Sequence, residues 1–158
     1  MRLVLFRHGA AEEAAQGGDA ARALTAEGRK KAQGMAHLLA AMDLGITHVV
    51  HSPLTRAAQT ARVLLGQLPG KPEHLESAFL IPEAEPPQVA QAVPRKVECV
   101  ALAGHEPSLS RFAAWCVGGG HLDLKKGGVV VLDGEDLPGA GKGVITWVLG
   151  PKILRHLR

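Results

Sequence analysis

The chain is poor in aromatic residues and cysteine: its 158 residues include no tyrosine, two tryptophans, three phenylalanines and two cysteines. Base-stacking platforms for nucleic acids are therefore scarce. Cys99 and Cys116 do not form a close pair, which excludes a disulfide framework or a four-cysteine zinc site. No apolar run approaches the roughly 18 residues that indicate a membrane-spanning helix. These absences argue against membrane, disulfide-stapled and single-strand-binding proteins.

The charge balance is mildly basic. Eighteen Lys and Arg residues stand against 15 Asp and Glu, a formal net charge of +3, and the sequence pI is about 9.1. The basic residues are scattered, with the densest stretch at Arg29-Lys30-Lys31, so we expect no nucleic-acid partner. A small positive excess is equally compatible with attraction of an anionic small substrate. Lys125-Lys126 suits a solvated turn or, alternatively, attraction of an acidic protein partner.

The remaining composition is that of a globular protein. Hydrophobic residues make up 46% of the chain and charged residues 21%, close to the usual mix. The length suits one domain with an ordinary core, so we expect a single domain over residues 1–158. The apolar run Leu3-Val4-Leu5-Phe6 is too short for the apolar core of a signal peptide. We therefore expect a cytoplasmic protein without a membrane partner.

Strand-like and helix-like segments alternate along the chain. Short apolar runs predict strands at 3–6, 47–51, 97–103, 129–132 and 144–149, with a further short strand near 75–79. Helical spacing and capping residues predict helices after Thr25 to Met42, from Ser52 as N-cap with Pro53 as first helical residue to Leu65, at 88–93 and over 109–116. This alternation predicts an α/β fold, in which one three-layer domain has a mainly parallel central sheet flanked by helices and a late antiparallel strand or hairpin.

Three segments with distinctive chemistry each follow a predicted buried strand. They are Arg7-His8, Ser52-Pro53-Leu54-Thr55-Arg56 and Gly104-His105. Because ligands of open α/β sheets bind outside the carboxyl ends of the strands, two arginines and two histidines are expected at one crevice. Arginine forks bind phosphate oxygens bidentately, and a helix N-terminus at Ser52 would add favourable partial charge. The sequence therefore predicts a phosphoryl-binding site.

The same site offers a nucleophile. An imidazole can attack phosphorus when it is neutral, and neighbouring guanidinium groups disfavour its protonated form. The arginines and the second histidine would stabilise charge on the transferring oxygens. These residue types predict phosphoryl transfer through a phosphohistidine, with no metal and no other cofactor.

The ordered motifs resemble the histidine phosphatase superfamily, specifically its compact phosphohistidine phosphatase branch. The resemblance implies that His8 is the nucleophile that becomes phosphorylated. It also implies that Arg7 and Arg56 bind the phosphoryl group and that His105 contacts it and supports charge development. It covers nearly the whole chain, least convincingly residues 70–95. The matching residues are Arg7-His8-Gly9, Asp19-x-x-Arg22-x-Leu24-Thr25-x-x-Gly28, Ser52-Pro53-Leu54-x-Arg56-Ala57-x-Gln59-Thr60-Ala61 and Gly104-His105-Glu106-Pro107.

One departure from the family pattern bears on the substrate. Larger members that cleave phosphate monoesters carry an acidic residue, on an inserted segment, that protonates the leaving oxygen. The loop between residues 70 and 95 is short here, and Glu83 and Glu85 are acid candidates by position alone. General-acid help is worth about 10²–10⁴-fold, and an imidazole leaving group needs it less than an alkoxide does. The sequence therefore favours a P–N bond over an alkyl phosphate.

Three functions stay open at this point. The leading one is hydrolysis of phosphohistidine on a protein or a small molecule. The second is a phosphatase for small phosphate monoesters, which an acid at Glu83 or Glu85 would favour. The third is a non-catalytic module that docks phosphorylated proteins, but binding alone would not need the nucleophile His8. The partner is a phosphorylated protein or a small phosphorylated substrate in each case, and the oligomeric state is left open.

Other notable residues have structural interpretations. His48 and His51 are three apart, which on a strand places them on opposite faces and disfavours a metal site. The segment 139–143 departs from a phosphate-binding loop and predicts a hairpin turn. Arg22 is expected to order its loop together with Asp19.

Overall fold

A computed structural model describes residues 1–157, in which strands and helices alternate as expected. Three short 3-10 turns cover Asp19–Ala21, Ala78–Leu80 and Pro151–His156. The strands are β1 (Arg2–Arg7), β2 (His48–His51), β3 (Glu73–Glu76), β4 (Cys99–Gly104), β5 (Val129–Asp133) and β6 (Val144–Leu149), and the helices are α1 (Ala26–Ala41), α2 (Thr55–Gln67), α3 (Pro86–Gln91) and α4 (Ser108–Val117).

The strands form one six-stranded sheet in the order β3-β2-β4-β1-β5-β6. The neighbouring strands β3, β2, β4 and β1 all pair in parallel, whereas β5 is antiparallel to both β1 and β6. The carboxyl ends of β1, β4 and β2 therefore meet at one edge of the sheet, with β4 in the middle. The predicted α/β fold, with its mainly parallel sheet and late antiparallel hairpin, is confirmed.

Buried apolar side chains cover both faces of this sheet. In β1, Leu3 and Leu5 belong to the cluster that packs against α3 and α4. The alternating Val4 and Phe6 belong to the cluster against α1 and α2. All four side chains are fully buried, because alternate residues of a strand point to opposite faces. The uninterrupted apolar run at the N-terminus is thus the signature of a strand between two helical layers.

Several element boundaries differ from the sequence predictions. The helix predicted at 88–93 lies at Pro86–Gln91, and the strand predicted at 97–103 lies at Cys99–Gly104. Helix α2 begins at Thr55 after the N-cap Leu54, so the prediction of Ser52 as N-cap and Pro53 as first helical residue is wrong. The Ser52 side chain instead accepts from the Leu54 amide at 3.2 Å and contacts a histidine of the site. The short strand expected near 75–79 lies at Glu73–Glu76. It stops there because Ser77 caps the following 3-10 turn.

The predicted cap of α1 and the predicted turn before β6 are confirmed. The Thr25 hydroxyl caps α1 by accepting from the Gly28 amide at 2.9 Å. Segment 139–143 lies in the connection between β5 and β6. Both cysteines are buried and free. No helix within residues 1–157 combines the length and hydropathy needed to cross a bilayer.

Candidate active site

The carboxyl ends of β1 and β4 bring two histidines together. Arg7 is the last residue of β1 and lies opposite Gly104 in the parallel ladder. The His8 amide then donates to the Gly104 carbonyl at 3.0 Å. The rings of His8 and His105 consequently lie side by side, with centroids 5.0 Å apart and planes tilted by 59°. The strand pairing itself thus produces the expected convergence of the two histidines.

Arg56 reaches the same place from the first turn of α2 and is only 5% exposed. Its Nη1 donates to the Asp19 carbonyl at 2.9 Å, and its Nη2 lies 3.3 Å from Asp19 Oδ2. Asp19 is held in turn by Arg22 Nη1 at 2.9 Å, as expected for the loop-ordering role of Arg22. The charge of Arg56 acts on both His8 and His105. The segment between β1 and α1 that contains Asp19 therefore holds the Arg56 guanidinium beside the two histidine rings.

In the Arg7 guanidinium, one N–H group is hydrogen-bonded and another has no acceptor among the residues that the structure describes. Nη1 donates to the Leu124 carbonyl at 2.7 Å, whereas the buried Nε has no partner within residues 1–157. Burial lowers the pKa of Arg7, and the carboxylates of Glu106 and Asp123 oppose that shift. A buried N–H without an acceptor is costly. A bound anion would remove that cost.

His8 has a defined tautomer and charge state. Its Nδ1 lies 2.6 Å from the Gly9 carbonyl oxygen, and since a carbonyl only accepts, Nδ1 carries the proton. Burial, followed by the charges of Arg56, Arg7 and Lys126, lowers the pKa of His8 to about 4 against the opposing effect of the Gly9 hydrogen bond. At neutral pH the ring is neutral, and Nε2 presents a free lone pair that is suited to nucleophilic attack.

His105 is also held neutral, and it is almost fully buried. Burial lowers the pKa of His105 to about 3, and protonation of His8 and the charge of Arg56 act in the same direction. Its Nε2 lies 2.8 Å from Ser52 Oγ, and its buried Nδ1 has no partner within the part of the chain that the structure describes. If the Ser52 hydroxyl donates to Nε2, the ring proton sits on Nδ1 and forms an unused donor. Sequence reasoning missed this contact because it assigned Ser52 to helix capping.

Two glycines, Gly9 beside His8 and Gly28 in α1, allow these two backbone segments to pass close to each other. A Cβ on Gly28 would lie 2.1 Å from the Ala10 carbonyl oxygen, and one on Gly9 would lie 2.8 Å from the Gly28 carbonyl oxygen. Only residues without side chains permit this close approach to the first turn of α1.

Thr60 connects the nucleophile loop to α2. Its hydroxyl donates to the Arg56 carbonyl at 2.8 Å and accepts from the Gly9 amide at 3.3 Å. It therefore couples the backbone beside His8 to the helix that carries Arg56. The motif that contains Thr60 was visible in the sequence, but nothing there distinguished its hydroxyl from that of a buried core threonine.

The two glutamates considered as acids do not join the four site residues. Glu85 forms a capping box with Gln88 at the start of α3 and lies 4.0 Å from Arg111. Within residues 1–157, neither Glu83 nor Glu85 makes a hydrogen bond or ion pair to His8, Arg7, Arg56 or His105.

Other carboxylates act on the site. Besides Asp123, Glu106 raises the pKa of Arg7, and Asp19 opposes the lowered pKa of His105. The Glu106 carboxylate accepts from both the amide, at 3.0 Å, and the hydroxyl of Ser110. It is therefore already held at the start of α4.

The histidines of β2 have separate surroundings. His48 lies 3.4 Å from the Glu73 carboxylate, and the His51 ring lies against His74 with centroids 4.7 Å apart. Among residues 1–157, no three His, Cys, Asp or Glu side chains are grouped as ligands for a metal ion.

Two buried histidines and two arginines therefore meet at the carboxyl edge of the parallel strands, an arrangement suited to binding a phosphoryl group. The sequence model for the histidine phosphatase superfamily (branch 1) matches residues 3–78. An uncharacterized protein of Picosynechococcus sp. is 35% identical over 147 residues, which cover 84% of each chain. The structure of the protein histidine phosphatase SixA complexed with tungstate is 25% identical, with a TM-score of 0.87 over 98% of this chain and 99% of that one. The chain belongs to the histidine phosphatase superfamily.

More distant structures share the fold. A putative phosphohistidine phosphatase SixA from Agrobacterium tumefaciens is 22% identical, with a TM-score of 0.80 over 95% of this chain and 98% of that one. A putative α-ribazole-5′-P phosphatase from Escherichia coli is 18% identical, with a TM-score of 0.71 over 96% and 97%. Membership and site together support phosphatase activity.

Proposed function

We propose that the protein is a phosphohistidine phosphatase that works through a covalent intermediate on His8 and needs no metal. The observation that carries this proposal is the state of His8, a neutral ring with its proton bound to the Gly9 carbonyl and Nε2 free. Phosphorylated protein is the preferred substrate, with free phosphohistidine as the smaller alternative. The similarity to SixA phosphatases supports the same substrate class.

In the first step, His8 Nε2 attacks phosphorus and the P–N bond of the substrate breaks. The substrate imidazole leaves as a neutral ring when its other nitrogen carries a proton. His8 keeps its Nδ1 proton on the Gly9 carbonyl, so the phosphorylated ring is cationic. In the second step, water attacks phosphorus, the P–Nε2 bond breaks and neutral His8 is restored. Phosphate leaves, and the remaining proton of the water passes to solvent.

The unsatisfied donors receive the phosphoryl oxygens. Arg7 Nε and His105 Nδ1 are buried without partners, and both gain acceptors when a phosphoryl group binds. Arg56 adds a guanidinium whose position is fixed by Asp19. Donors that are aligned before charge develops stabilise the transition state without further reorganisation.

A phosphatase for small phosphate monoesters is the second candidate. It is favoured by the charge of Glu106, which acts on Arg7, because an alkoxide leaving group would need a proton from such an acid. Both Glu106 oxygens already accept hydrogen bonds from the amide and hydroxyl of Ser110 at the start of α4. P–N cleavage, which depends less on an acid for the leaving group, is therefore preferred.

Initial rates on matched substrates test the proposal. The purified protein is assayed with EDTA on a phosphohistidine peptide and on a panel of alkyl phosphate monoesters. We expect strong preference for the P–N bond and a base-stable, acid-labile phosphoenzyme. Equal or faster turnover of the alkyl esters would replace the proposal with the second candidate. In that case Glu106→Gln, Glu83→Gln and Glu85→Gln would identify the acid, with loss of alkyl-ester turnover in one of them.

A further inference from the structure

A second cationic region opens beside the site. A groove of about 1300 Å³ lies between α1, the loop before β5 and the C-terminal 3-10 turn. Its walls carry seven cationic side chains and one carboxylate, that of Glu27. The cationic residues are Arg7, Lys30, Lys31, Lys125, Lys126, Lys152 and Arg155.

Folding thus concentrates charge that is dispersed along the sequence. Setting the groove aside leaves 11 basic and 14 acidic residues for the rest of the chain. The basic residues are scattered along the sequence, but four segments (the end of β1, α1, the loop before β5 and the C-terminal turn) bring seven of them to one surface. The Lys125-Lys126 pair is exposed at a turn before β5, as expected, and it also lines that surface.

Much of this charge is not neutralised within the fold. Lys31 pairs with Glu27 at 3.2 Å, and Lys125 pairs with Asp123. In the part of the chain covered by the structure, Lys30, Lys126 and Lys152 make no ion pair. Exposed like charges gathered in a concave surface create a field that attracts anions.

The groove is built into the fold and meets the active site at Arg7. The C-terminal turn packs on α1 so closely that a Cβ on Gly34 would lie 3.0 Å from Leu154 Cδ1. Arg7 belongs to both regions. The charge of Lys126 acts on His8. A molecule that places its phosphoryl group at His8 would therefore extend along these lysines.

We propose that this groove docks an acidic surface of the protein that presents the phosphohistidine, an inference that rests on the proposed function. Its volume exceeds the roughly 300–1,000 Å³ usual for small-molecule sites. Lysines on flexible stems suit the charged rim of a protein interface, where complementarity accelerates association. The groove lining includes no aromatic residue among residues 1–157, which disfavours single-stranded nucleic acid because bases bind on aromatic platforms.

The test compares two phosphohistidine peptides that differ only in flanking residues, one with glutamates and one with glutamines. At low ionic strength we expect kcat/KM to be on the order of tenfold higher for the glutamate peptide. In Lys30→Glu/Lys152→Glu the ratio of the two values should fall to about one. The matched control Lys71→Glu/Lys142→Glu changes net charge equally at exposed positions outside the groove and should keep the ratio. A wild-type ratio near one, or equal loss in the control, would overturn the proposal.

A binding measurement separates this inference from the proposed function. Fluorescence anisotropy of the unphosphorylated glutamate peptide reports docking even if no phosphohistidine is hydrolysed. Weaker binding by Lys30→Glu/Lys152→Glu than by the control supports the acidic partner. Equal binding by the two variants contradicts it. A labelled oligonucleotide that binds more tightly than the glutamate peptide, and loses binding in the groove variant, would replace the protein partner with nucleic acid.

Discussion

The active site and the cationic groove share Arg7, but their charged side chains differ in burial and in ion pairing. In the site, Arg56 is buried and bonded to Asp19, and both histidines are neutral. In the groove, the lysines are exposed, and Lys30, Lys126 and Lys152 make no ion pair within residues 1–157. Fixed donors suit stabilisation of one transition state, whereas mobile charges suit attraction of varied anionic surfaces.

The two regions also differ in whether the sequence predicts that their charged residues lie together. The site residues lie at or shortly after the carboxyl ends of parallel strands, so their convergence is determined by strand order. Apart from Arg7, the cationic groove residues come from a helix, a loop and a C-terminal turn, which no local sequence pattern relates. Changes to single residues or to the solvent should therefore affect the two regions differently.

Removal of the nucleophile should have the largest effect. We expect His8→Ala to lower phosphohistidine turnover by at least about 10³-fold, since no other group supplies the covalent step. Binding of inorganic phosphate, measured by calorimetry, should persist, and so should binding of the glutamate peptide in the groove. Turnover within tenfold of the parent would contradict the role of His8.

Loss of the fixed guanidinium should come next. Arg56→Ala removes a positioned donor and should reduce kcat by about 10²–10³-fold. Arg62→Ala removes an exposed arginine from the same helix and should stay within about twofold of the parent. If the two variants lost activity equally, the effect would belong to α2 stability and not to phosphoryl binding, a distinction that thermal unfolding checks.

Ser52 should act through His105. We expect Ser52→Ala to lower kcat by about tenfold, because His105 then lacks the hydroxyl that places its proton on Nδ1. In a His105→Asn background, the same change should have no further effect, since the two residues act as a unit. Fully additive losses in the double variant would mean that Ser52 has a separate structural role.

The acid limb of kcat/KM should report the burial of His8. With its pKa lowered to about 4, His8 is neutral and reactive above that pH, and activity should fall as pH decreases toward it. Arg56 and Arg7 both lower this pKa, so Arg56→Ala should move the limb to higher pH. NMR titration of the ring in both proteins measures the direction, and a limb shifted to lower pH would contradict the electrostatic account.

Ionic strength should have the smallest effect on kcat/KM, and that effect should differ between substrates that use the active site alone and substrates that also contact the groove. Free phosphohistidine should lose little kcat/KM between low and physiological ionic strength, because buried charges are weakly screened. The glutamate peptide should lose more, because it approaches exposed lysines. Parallel salt curves for the two substrates would remove the distinction between site and groove.

The sequence predicted the sheet and the gathering of His8, His105, Arg7 and Arg56 because apolar strands and their carboxyl ends are local patterns. It could not predict that Ser52 turns away from helix capping toward His105. A serine before a proline satisfies the capping pattern, and only β2–β4 pairing brings the two side chains within 2.8 Å. The short loops around Glu83 and Glu85 carried no periodic pattern, so their positions were open until the fold was known.

The Nδ1–H bond of His8 to the Gly9 carbonyl determines regiochemistry. With Nδ1 occupied, phosphorus can join only the other nitrogen, so the enzyme would carry one of the two phosphohistidine isomers. In the proposed reaction, the first step makes one P–N bond and breaks another. Transfer between two such rings is nearly isoenergetic, and the overall direction comes from the hydrolysis that follows.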